Sequence, residues 1–196
     1  ALPLPTGMRD LRTVLWRDGD VLLAADAYGA ALRWELGKGA PDALPPLQGG
    51  QSANVVFTSD GNTLLRYVDS GTGTLWQHQP RAWMPVVVPA LAVQVLADVV
   101  AAVGLDTGMA ASSSDGHTVW IEPASGRAQL LSDGDGVIAA AVQLDPHEVV
   151  LGYTSGRVQL WDTARGREVA SQPAKVKSAV ASLSVGNGGK SVLAKY

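Results

Sequence analysis

The sequence contains no cysteine among its 196 residues. A chain without cysteine forms no disulfide bonds, holds no metal ion through thiolates and has no cysteine nucleophile. Histidine is also scarce: His78, His117 and His147 are the three in the chain, and none stands at a spacing typical of metal ligands. The absence of cysteine is compatible with both oxidising and reducing compartments, so the sequence predicts no localisation.

The chain also lacks an excess of positive charge. Its 15 lysines and arginines are outnumbered by 18 aspartates and glutamates, which gives a formal net charge of -3. Without a broad cationic surface, sequence-independent binding to nucleic acid phosphates is not favoured, and no nucleic acid partner is predicted. Hydrophobic residues make up 46% of the chain, which is enough for a buried core.

Long hydrophobic runs are rare, and the one exception spans residues 84–105. Pro85, Pro89, Gln94 and Asp98 interrupt it, which argues against insertion into a membrane as a spanning helix. Its valine-rich pieces instead predict short buried strands separated by breaks. The opening residues lack the order of a signal peptide. Because the first residue is alanine, we expect a chain that was processed, excised or engineered.

What the sequence does contain is a repeat marked by tryptophan. Trp34, Trp76, Trp120 and Trp161 follow one another at gaps of 42, 44 and 41 residues. Counted from each tryptophan, position -16 is aspartate and position -5 is glycine in three of the four units. These residues are Asp18, Asp60 and Asp145, and Gly29, Gly71 and Gly156. Aspartate and glycine at fixed offsets predict tight turns between strands.

Apolar segments lie between these turns and predict strands. The clearest are 21–25, 63–67, 109–111 and 148–152, and a further turn leads to a fourth strand such as 127–131. Four strands per roughly 42 residues is the period of a β-propeller blade. The predicted fold is therefore an all-β propeller of about four and a half four-stranded blades. The predicted units are 13–52, 53–95, 96–136, 137–177 and the partial 178–196.

Two segments resemble the WD-repeat family, "SGRVQLWDTARGREV" at 155–169 and "SDGHTVWIEPASGRAQLL" at 114–131. Only Trp161 is followed by aspartate, and the family's aspartate at position -6 is replaced by tyrosine or serine in all four units. The resemblance implies a propeller scaffold that binds a protein or peptide, without the family's buried polar network. The composition, rich in alanine, glycine, arginine and valine, indicates a bacterial source.

A fifth unit begins, but the sequence ends at 196, before its tryptophan, which the period places near position 203. We predict its first two strands at 179–183 and 191–194, around a glycine-rich turn at 186–190. A half-blade has an unpaired edge and an exposed apolar face. We therefore expect a part of a larger ring, closed by further chain or by self-association with a second copy.

Several short motifs imitate catalytic or metal sites, and each has a simpler interpretation. Residues 188–191 resemble the end of a phosphate-binding loop but lack its first glycine, so a hairpin is predicted. Residues 133–136 resemble the start of a calcium loop but lack its later oxygen ligands, which indicates a loop between blades. Ser112–Ser114, Asp115 and His117 offer the residue types of a hydrolase triad. Neighbouring residues of one hairpin are not expected to converge as a triad does.

Two further motifs concern binding. The basic pairs at 165–167 and 175–177 are interpreted as solvated loop residues. The turn at 69–76 is similar to that of quinoprotein-type propellers, but it occurs in one unit of four. Because no motif supplies a complete catalytic, cofactor or metal site, the sequence predicts a protein that is not an enzyme and has no cofactor.

The leading hypothesis is thus a rigid propeller scaffold whose loops bind a protein or peptide. A second hypothesis is an extra-membrane accessory or sensor domain of a larger membrane or multidomain protein. A third is a quinoprotein-like ligand-binding enzyme, which depends on the single turn at 69–76.

Overall fold

The computed structural model describes residues 8–17, 19–69, 71–132, 134, 136–174, 178–189 and 191–196. Within these ranges the chain forms 18 strands and one short α-helix. Every sheet is antiparallel, and its strands follow one another in chain order. The prediction of an all-β chain built of four-stranded sheets is confirmed.

Four sheets have four strands each, and a fifth has two. Sheet 1 contains β1 Leu11–Arg17, β2 Val21–Asp26, β3 Ala31–Glu35 and β4 Asp42–Leu44. Sheet 2 contains β5 Asn54–Phe57, β6 Thr63–Tyr67, β7 Gly73–Gln79 and β8 Ala82–Pro85. Sheet 3 contains β9 Val99–Gly104, β10 Met109–Ser113, β11 Thr118–Glu122 and β12 Arg127–Ser132. Sheet 4 contains β13 Ile138–Asp145, β14 Glu148–Tyr153, β15 Val158–Asp162 and β16 Arg167–Gln172. Sheet 5 contains β17 Ser182–Gly186 and β18 Ser191–Lys195.

The division of the sequence into repeat units stays a prediction.

The second strands show why the sheets stack. All six residues of β2 and all five of β10 are buried, although successive side chains of a strand point to opposite faces. Both faces of these strands are therefore covered. Two-sided burial explains why they read in the sequence as continuous apolar segments and not as an alternating pattern.

Apolar cores fill the spaces between neighbouring sheets. Leu64 and Leu65 are adjacent on β6 and point into different cores, as the two-residue period of a strand requires. The central buried residues are Leu23, Phe57 and Leu64 between sheets 1 and 2, Leu65, Leu75 and Met109 between sheets 2 and 3, and Trp120, Leu151 and Tyr153 between sheets 3 and 4. The sheets thus pack face to face in chain order.

The apolar run at 84–105 forms strands at its two ends. The prediction of short strands separated by breaks is wrong for its middle, where a helix forms. Helix α1, Ala90–Leu96, lies between β8 and β9. Its alanines, leucines and glutamine are favourable helix formers. Ala92, Val95 and Leu96 share one helical face and pack into the core between sheets 2 and 3. No helix in the described ranges is long and apolar enough to cross a membrane.

Sheet 5 begins later than the sequence predicted. Its first strand starts at Ser182 and not at residue 179. The reason lies at Val180, whose amide donates a hydrogen bond to the carbonyl of Tyr153 (3.1 Å) and whose buried side chain lies over Gly152. These contacts hold the segment against sheet 4, before the hairpin begins. The open arrangement of the sheets fits an incomplete ring.

Candidate functional site: grooves between neighbouring sheets

The four tryptophans of the repeat all lie on third strands. Trp34 lies on β3, Trp76 on β7, Trp120 on β11 and Trp161 on β15. Trp76 packs against the core between sheets 1 and 2, and Trp161 belongs to the core between sheets 3 and 4. Both therefore point toward the preceding sheet. Trp34 belongs to the first sheet and is half-buried.

Trp120 does not occupy the equivalent position, which corrects the predicted register. The other three tryptophans follow the turn glycine by five residues, whereas Trp120 follows Gly116 by four. A shift of one residue turns a strand side chain to the opposite face. Trp120 therefore points forward, fully buried in the core between sheets 3 and 4. Ile121 takes the backward position, in the core between sheets 2 and 3.

The predicted turn glycines have different roles. Gly29 and Gly156 have φ angles of +78° and +84°, in the left-handed region that glycine occupies without strain. Gly116 has the same conformation, with φ of +87°, in the third unit. Gly71 does not have a positive φ. Its carbonyl instead accepts a hydrogen bond from the amide of Val99 (3.0 Å), which joins sheet 2 to sheet 3.

The predicted turn aspartates hold their hairpins through local hydrogen bonds. Asp60 accepts hydrogen bonds from Thr58 Oγ1 (2.6 Å) and from the amide of Asn62 (3.0 Å). Asp145 accepts hydrogen bonds from the amides two and three residues later, at 2.7 and 2.8 Å. Such bonds are typical of turns led by aspartate. Asp18, the third predicted aspartate, lies outside the described residues.

A groove of about 780 Å³ opens between sheets 1 and 2, at the end that carries the β3–β4 and β7–β8 turns. Its charged and polar lining residues come from two separate sheets and their turns: Arg33, Glu35, Lys38, Asp42, Asn62, His78 and Arg81. Sequence reasoning selected none of them as binding residues. The one local signal was the charged series on β3 and its turn, which on its own is typical of any solvated hairpin.

Glu35 organises the charges of this groove. Its carboxylate lies 2.5 Å from Lys38 Nζ and 2.5 Å from Arg33 Nη1. Hydrogen bonds from Lys38 and then Arg33 lower the pKa of Glu35 from 4.5 to about 2, and the same contact raises the pKa of Lys38. Arg33 Nε is buried without a hydrogen-bond partner among the described residues. Arg81 lies on the facing turn and forms no ion pair with any residue that the structure describes.

His78 and Asp42 join the two sheets beneath the groove. His78 Nε2 on β7 lies 2.9 Å from Asp42 Oδ2 on β4. The ring of Trp83 meets His78 edge-on at 5.4 Å, and Trp83 Nε1 donates a hydrogen bond to the carbonyl of Asp42 (3.2 Å). Because these side chains hold one another, the groove has a fixed floor, while Lys38 at its rim remains exposed.

A second groove, of about 490 Å³, continues the first between sheets 2 and 3. Both grooves are lined by Asn62 and His78, so together they form one surface along the same end of three sheets. We call it the groove surface. Its far edge is held to sheet 4, because Gln143 Oε1 accepts hydrogen bonds from the amides of Asp106 (2.8 Å) and Thr107 (3.2 Å).

The hydrolase-like residues touch one another, but not in the order of a nucleophilic triad. Asp115 Oδ1 lies 2.5 Å from Ser113 Oγ and 2.8 Å from His117 Nδ1. A triad places the histidine beside the hydroxyl, whereas here the carboxylate has that position. The hydrogen bonds from Ser113 and then His117 lower the pKa of Asp115 from 3.8 to about 2. Ser112 Oγ contacts Thr118 Oγ1 (2.7 Å) and supports the hairpin.

As far as they are described, the residues of the remaining motifs do not line the groove surface. Arg165 of the first basic pair donates backbone and side-chain hydrogen bonds to Asp162, which lower the pKa of that carboxyl. Among the side chains that the structure describes, no three His, Cys, Asp or Glu residues are grouped so as to hold a metal ion. Parts of four motifs lie outside the described residues: Ser70 of the quinoprotein-like turn, Asp133 and Asp135, residues 175–177, and Lys190.

Comparison with known proteins gives structural matches only. No protein-family model and no curated protein matches the sequence. The β-propeller domain of Cps50 (Swd1) from Myceliophteria thermophila matches with a TM-score of 0.63 and 16% identity, over 97% of this chain and 63% of that chain. A chain of the mitotic checkpoint complex matches with a TM-score of 0.63 and 15% identity, over 92% of this chain and 55% of that one. The computationally designed Ika8 protein matches with a TM-score of 0.65 and 18% identity, over 95% of this chain and 58% of that one.

The chain thus spans 55 to 63% of the length of these structures. Identities of 15 to 18% show the fold and nothing finer. Sheets 1 to 4 correspond to blades 1 to 4, and sheet 5 to half of a fifth blade. The chain has a β-propeller fold, and its described residues form four complete blades and the first two strands of another.

Proposed function

We propose that this chain is a non-enzymatic β-propeller scaffold, of a divergent bacterial WD-repeat type, that binds a protein or peptide on its groove surface. The observation that carries the proposal is the continuity of the two grooves across blades 1 to 3. Loops held by a rigid sheet scaffold are where binding residues of such folds lie. One of the matching structures is itself a complex, the mitotic checkpoint complex, which supports a protein partner by likeness of fold.

The groove surface suits a polypeptide better than a small substrate. Small-molecule sites are mostly apolar cavities that enclose the ligand. The first groove is instead lined by the ion pairs of Glu35 and by Arg81, all on one end of the molecule. The Asp115 carboxylate lies between the Ser113 hydroxyl and the His117 ring, which is not the arrangement of a nucleophilic triad. This geometry also supports a role without catalysis.

A site-specific photo-cross-linking experiment tests this proposal. A photoreactive amino acid replaces Ala40, which lines the first groove, and in a second protein it replaces Ser155, in a turn at the opposite end of blade 4. We expect a partner polypeptide to be captured from position 40 and not from position 155. Arg81→Glu in the position 40 protein should reduce capture, because it reverses the charge of a groove residue that has no ion pair among the described residues.

Lys195→Glu, an equal charge reversal on the exposed end of β18, is the matched control and should leave capture unchanged. Capture of the same polypeptide from position 155 with equal efficiency would place the interface elsewhere. Capture that is insensitive to Arg81→Glu would remove the groove surface from the proposal.

A further inference from the structure

A third groove, of about 480 Å³, lies between blades 1 and 2 along their outer strands, β4 and β8. Blade 1 lines it with residues 43–48, and blade 2 lines it with Arg66, Trp76 and residues 81–83. We call it the outer groove. Arg81 also lines the first groove of the groove surface, so the two surfaces meet at this residue. Both blades that form the outer groove have all four strands.

Arg66 places a positive charge in the outer groove without a negative charge beside it. Its guanidinium carbon lies 5.1 Å from the centre of the Trp76 ring, within the range of a cation–π contact. Its Nη1 donates a hydrogen bond to the carbonyl of Pro45 (2.8 Å), in the facing blade. Burial lowers the pKa of Arg66, and this residue forms no ion pair with any described residue. Buried charges in proteins are ordinarily paired, so Arg66 lacks the partner that its position calls for.

Arg81 is a second cation without an ion pair among the described residues, and its backbone is strained. It follows Pro80 in the turn between β7 and β8, and its φ of +71° lies in the left-handed region. Proline followed by a residue of positive φ is the pattern of a type II turn, in which glycine or asparagine is favoured at this position. Arginine is unfavourable there. The turn alone therefore does not explain why Arg81 stands where the two surfaces meet.

The rest of the outer groove is mostly apolar, and its blade 1 wall is fixed. No acidic side chain lines the groove among the residues that the structure describes. The φ angles of Pro45 and Pro46 are set by their rings, and the amide of Leu47 donates a hydrogen bond to the carbonyl of Tyr28 (2.9 Å). On blade 2, Trp76 Nε1 is buried without an acceptor in the same set of residues. A wall that is already ordered reduces the entropy lost on binding.

Two guanidinium groups beside an apolar wall favour a carboxylate as the ligand. A carboxylate accepts paired, charge-assisted hydrogen bonds from a guanidinium group. The methylene groups of an acidic side chain also match the proline and tryptophan surfaces of the groove. A phosphate dianion would be more costly to transfer from water into this apolar lining. The chemistry of the groove therefore selects glutamate or aspartate over a phosphorylated residue.

We propose that the outer groove binds an acidic side chain of the partner polypeptide, whose carboxylate contacts Arg66 and Arg81. This inference rests on the proposed function, because a polypeptide that lies on the groove surface reaches the outer groove at Arg81. Arg66 lines neither groove of the groove surface, so its role is specific to the acidic side chain.

Three pools of synthetic peptides test the charge of the ligand and its chemical source. Each peptide is about nine residues long, about 30 Å when extended, with random uncharged residues around a fixed central residue. The central residue is glutamate, glutamine or phosphoserine, and retention of each fluorescent pool on the immobilised full chain is measured. We expect the glutamate pool to be retained about fivefold or more above the glutamine pool, and also above the phosphoserine pool.

Two variants that each remove one positive charge form a matched pair. Arg66→Met removes the cation and keeps an unbranched stem. Arg127→Met makes the same change at an arginine that also donates to a carbonyl of the neighbouring blade, that of Ala164 (3.2 Å), but lines none of the three grooves. Retention of the glutamate pool should fall about fivefold or more in Arg66→Met and change less than about twofold in Arg127→Met. Circular dichroism checks that both variants fold.

Arg81→Asn separates binding from folding and keeps the test decisive if Arg66→Met does not fold. Because asparagine tolerates a positive φ better than arginine does, the Tm of Arg81→Asn should not fall below that of the unchanged chain. Retention of the glutamate pool should nevertheless fall about threefold or more, because one of the two cations is lost.

Three results would overturn the outer-groove site. They are equal retention of the glutamate and glutamine pools, undiminished retention of the glutamate pool by folded Arg66→Met or Arg81→Asn, and stronger retention of the phosphoserine pool. The groove surface fails separately. Capture from position 40 with equal retention of the glutamate and glutamine pools would overturn the outer-groove site alone. Glutamate-selective retention that Arg66→Met removes, without capture from position 40, would support the outer-groove site and count against the groove surface.

Discussion

Trp120 and Trp161 lie on the third strands of successive blades, yet both side chains occupy the single core between blades 3 and 4. Trp120 points forward and is fully buried, and Trp161 points backward with 9% of its surface exposed. Each indole is held from its own strand, by Glu122 Oε1 (3.3 Å) and by Gln159 Oε1 (3.1 Å). Two large aromatic side chains from facing sheets therefore stabilise the same interface.

Removing either tryptophan should destabilise the fold strongly. We expect Trp120→Ala and Trp161→Ala each to lower the free energy of unfolding by about 3–5 kcal/mol, because truncating a core aromatic loses transfer energy and leaves a cavity. Denaturant unfolding measures the change. Trp34→Ala, at a half-buried position, is the control and should lower the free energy of unfolding by less. Similar losses in all three variants would contradict the difference in burial.

Close packing of blades 2 and 3 predicts an intolerant glycine. A Cβ atom at Gly104 would lie 1.8 Å from the carbonyl oxygen of Phe57, a backbone atom that cannot rotate away. Gly104→Ala should therefore lower the free energy of unfolding by about 3 kcal/mol or more. Gly126→Ala is the control: Gly126 has a φ of +67° with nothing within 4 Å, so we expect a cost of about 1 kcal/mol from backbone strain alone. Equal losses of unfolding free energy in Gly104→Ala and Gly126→Ala would contradict the close packing of blades 2 and 3 at Gly104.

The ion pairs of the first groove predict a pH dependence with a defined direction. The pKa of Glu35 is about 2 in the folded chain, below its ordinary 4.5. Its ion pairs therefore stabilise the fold above pH 4.5, and this contribution is lost as the pH falls toward 2. Lys38→Met should raise the pKa of Glu35, because Lys38 is the larger cause of its lowering. Carboxyl titration by NMR measures it, with Lys195→Met as the control. An unchanged pKa in Lys38→Met would contradict the role of Lys38.

The open face of blade 1 supports the prediction of self-association. Val14 is 58% and Trp16 51% exposed on β1, while Leu15 between them points to the core with blade 2. We expect light scattering to give a mass above 20.3 kDa that grows with concentration. Trp16→Ser should reduce the growth, and Val87→Ser, in a loop, should not. A monomer of 20.3 kDa at every concentration would show the prediction to be wrong.

The sequence by itself determined the clearest apolar strands and several of their turns, because a hairpin depends on residues that are close in the chain. The predicted strand 63–67 is the observed β6. The aspartates and glycines identified the turns at Asp60 and Gly156 through local hydrogen bonds and backbone angles. The period of about 42 residues then indicated the propeller.

Only the tertiary structure decided which face each residue takes and which residues meet. Trp120 follows its turn glycine one residue sooner than the other three tryptophans do, which sends Trp120 forward and Ile121 backward, a change that the count of apolar residues does not record. The short apolar run containing α1 has no period that separates helix from buried strand. His78 and Asp42 stand 36 residues apart and meet only because blades stack. The candidate binding surfaces were unpredictable for that same reason, since they are formed by contacts between repeat units.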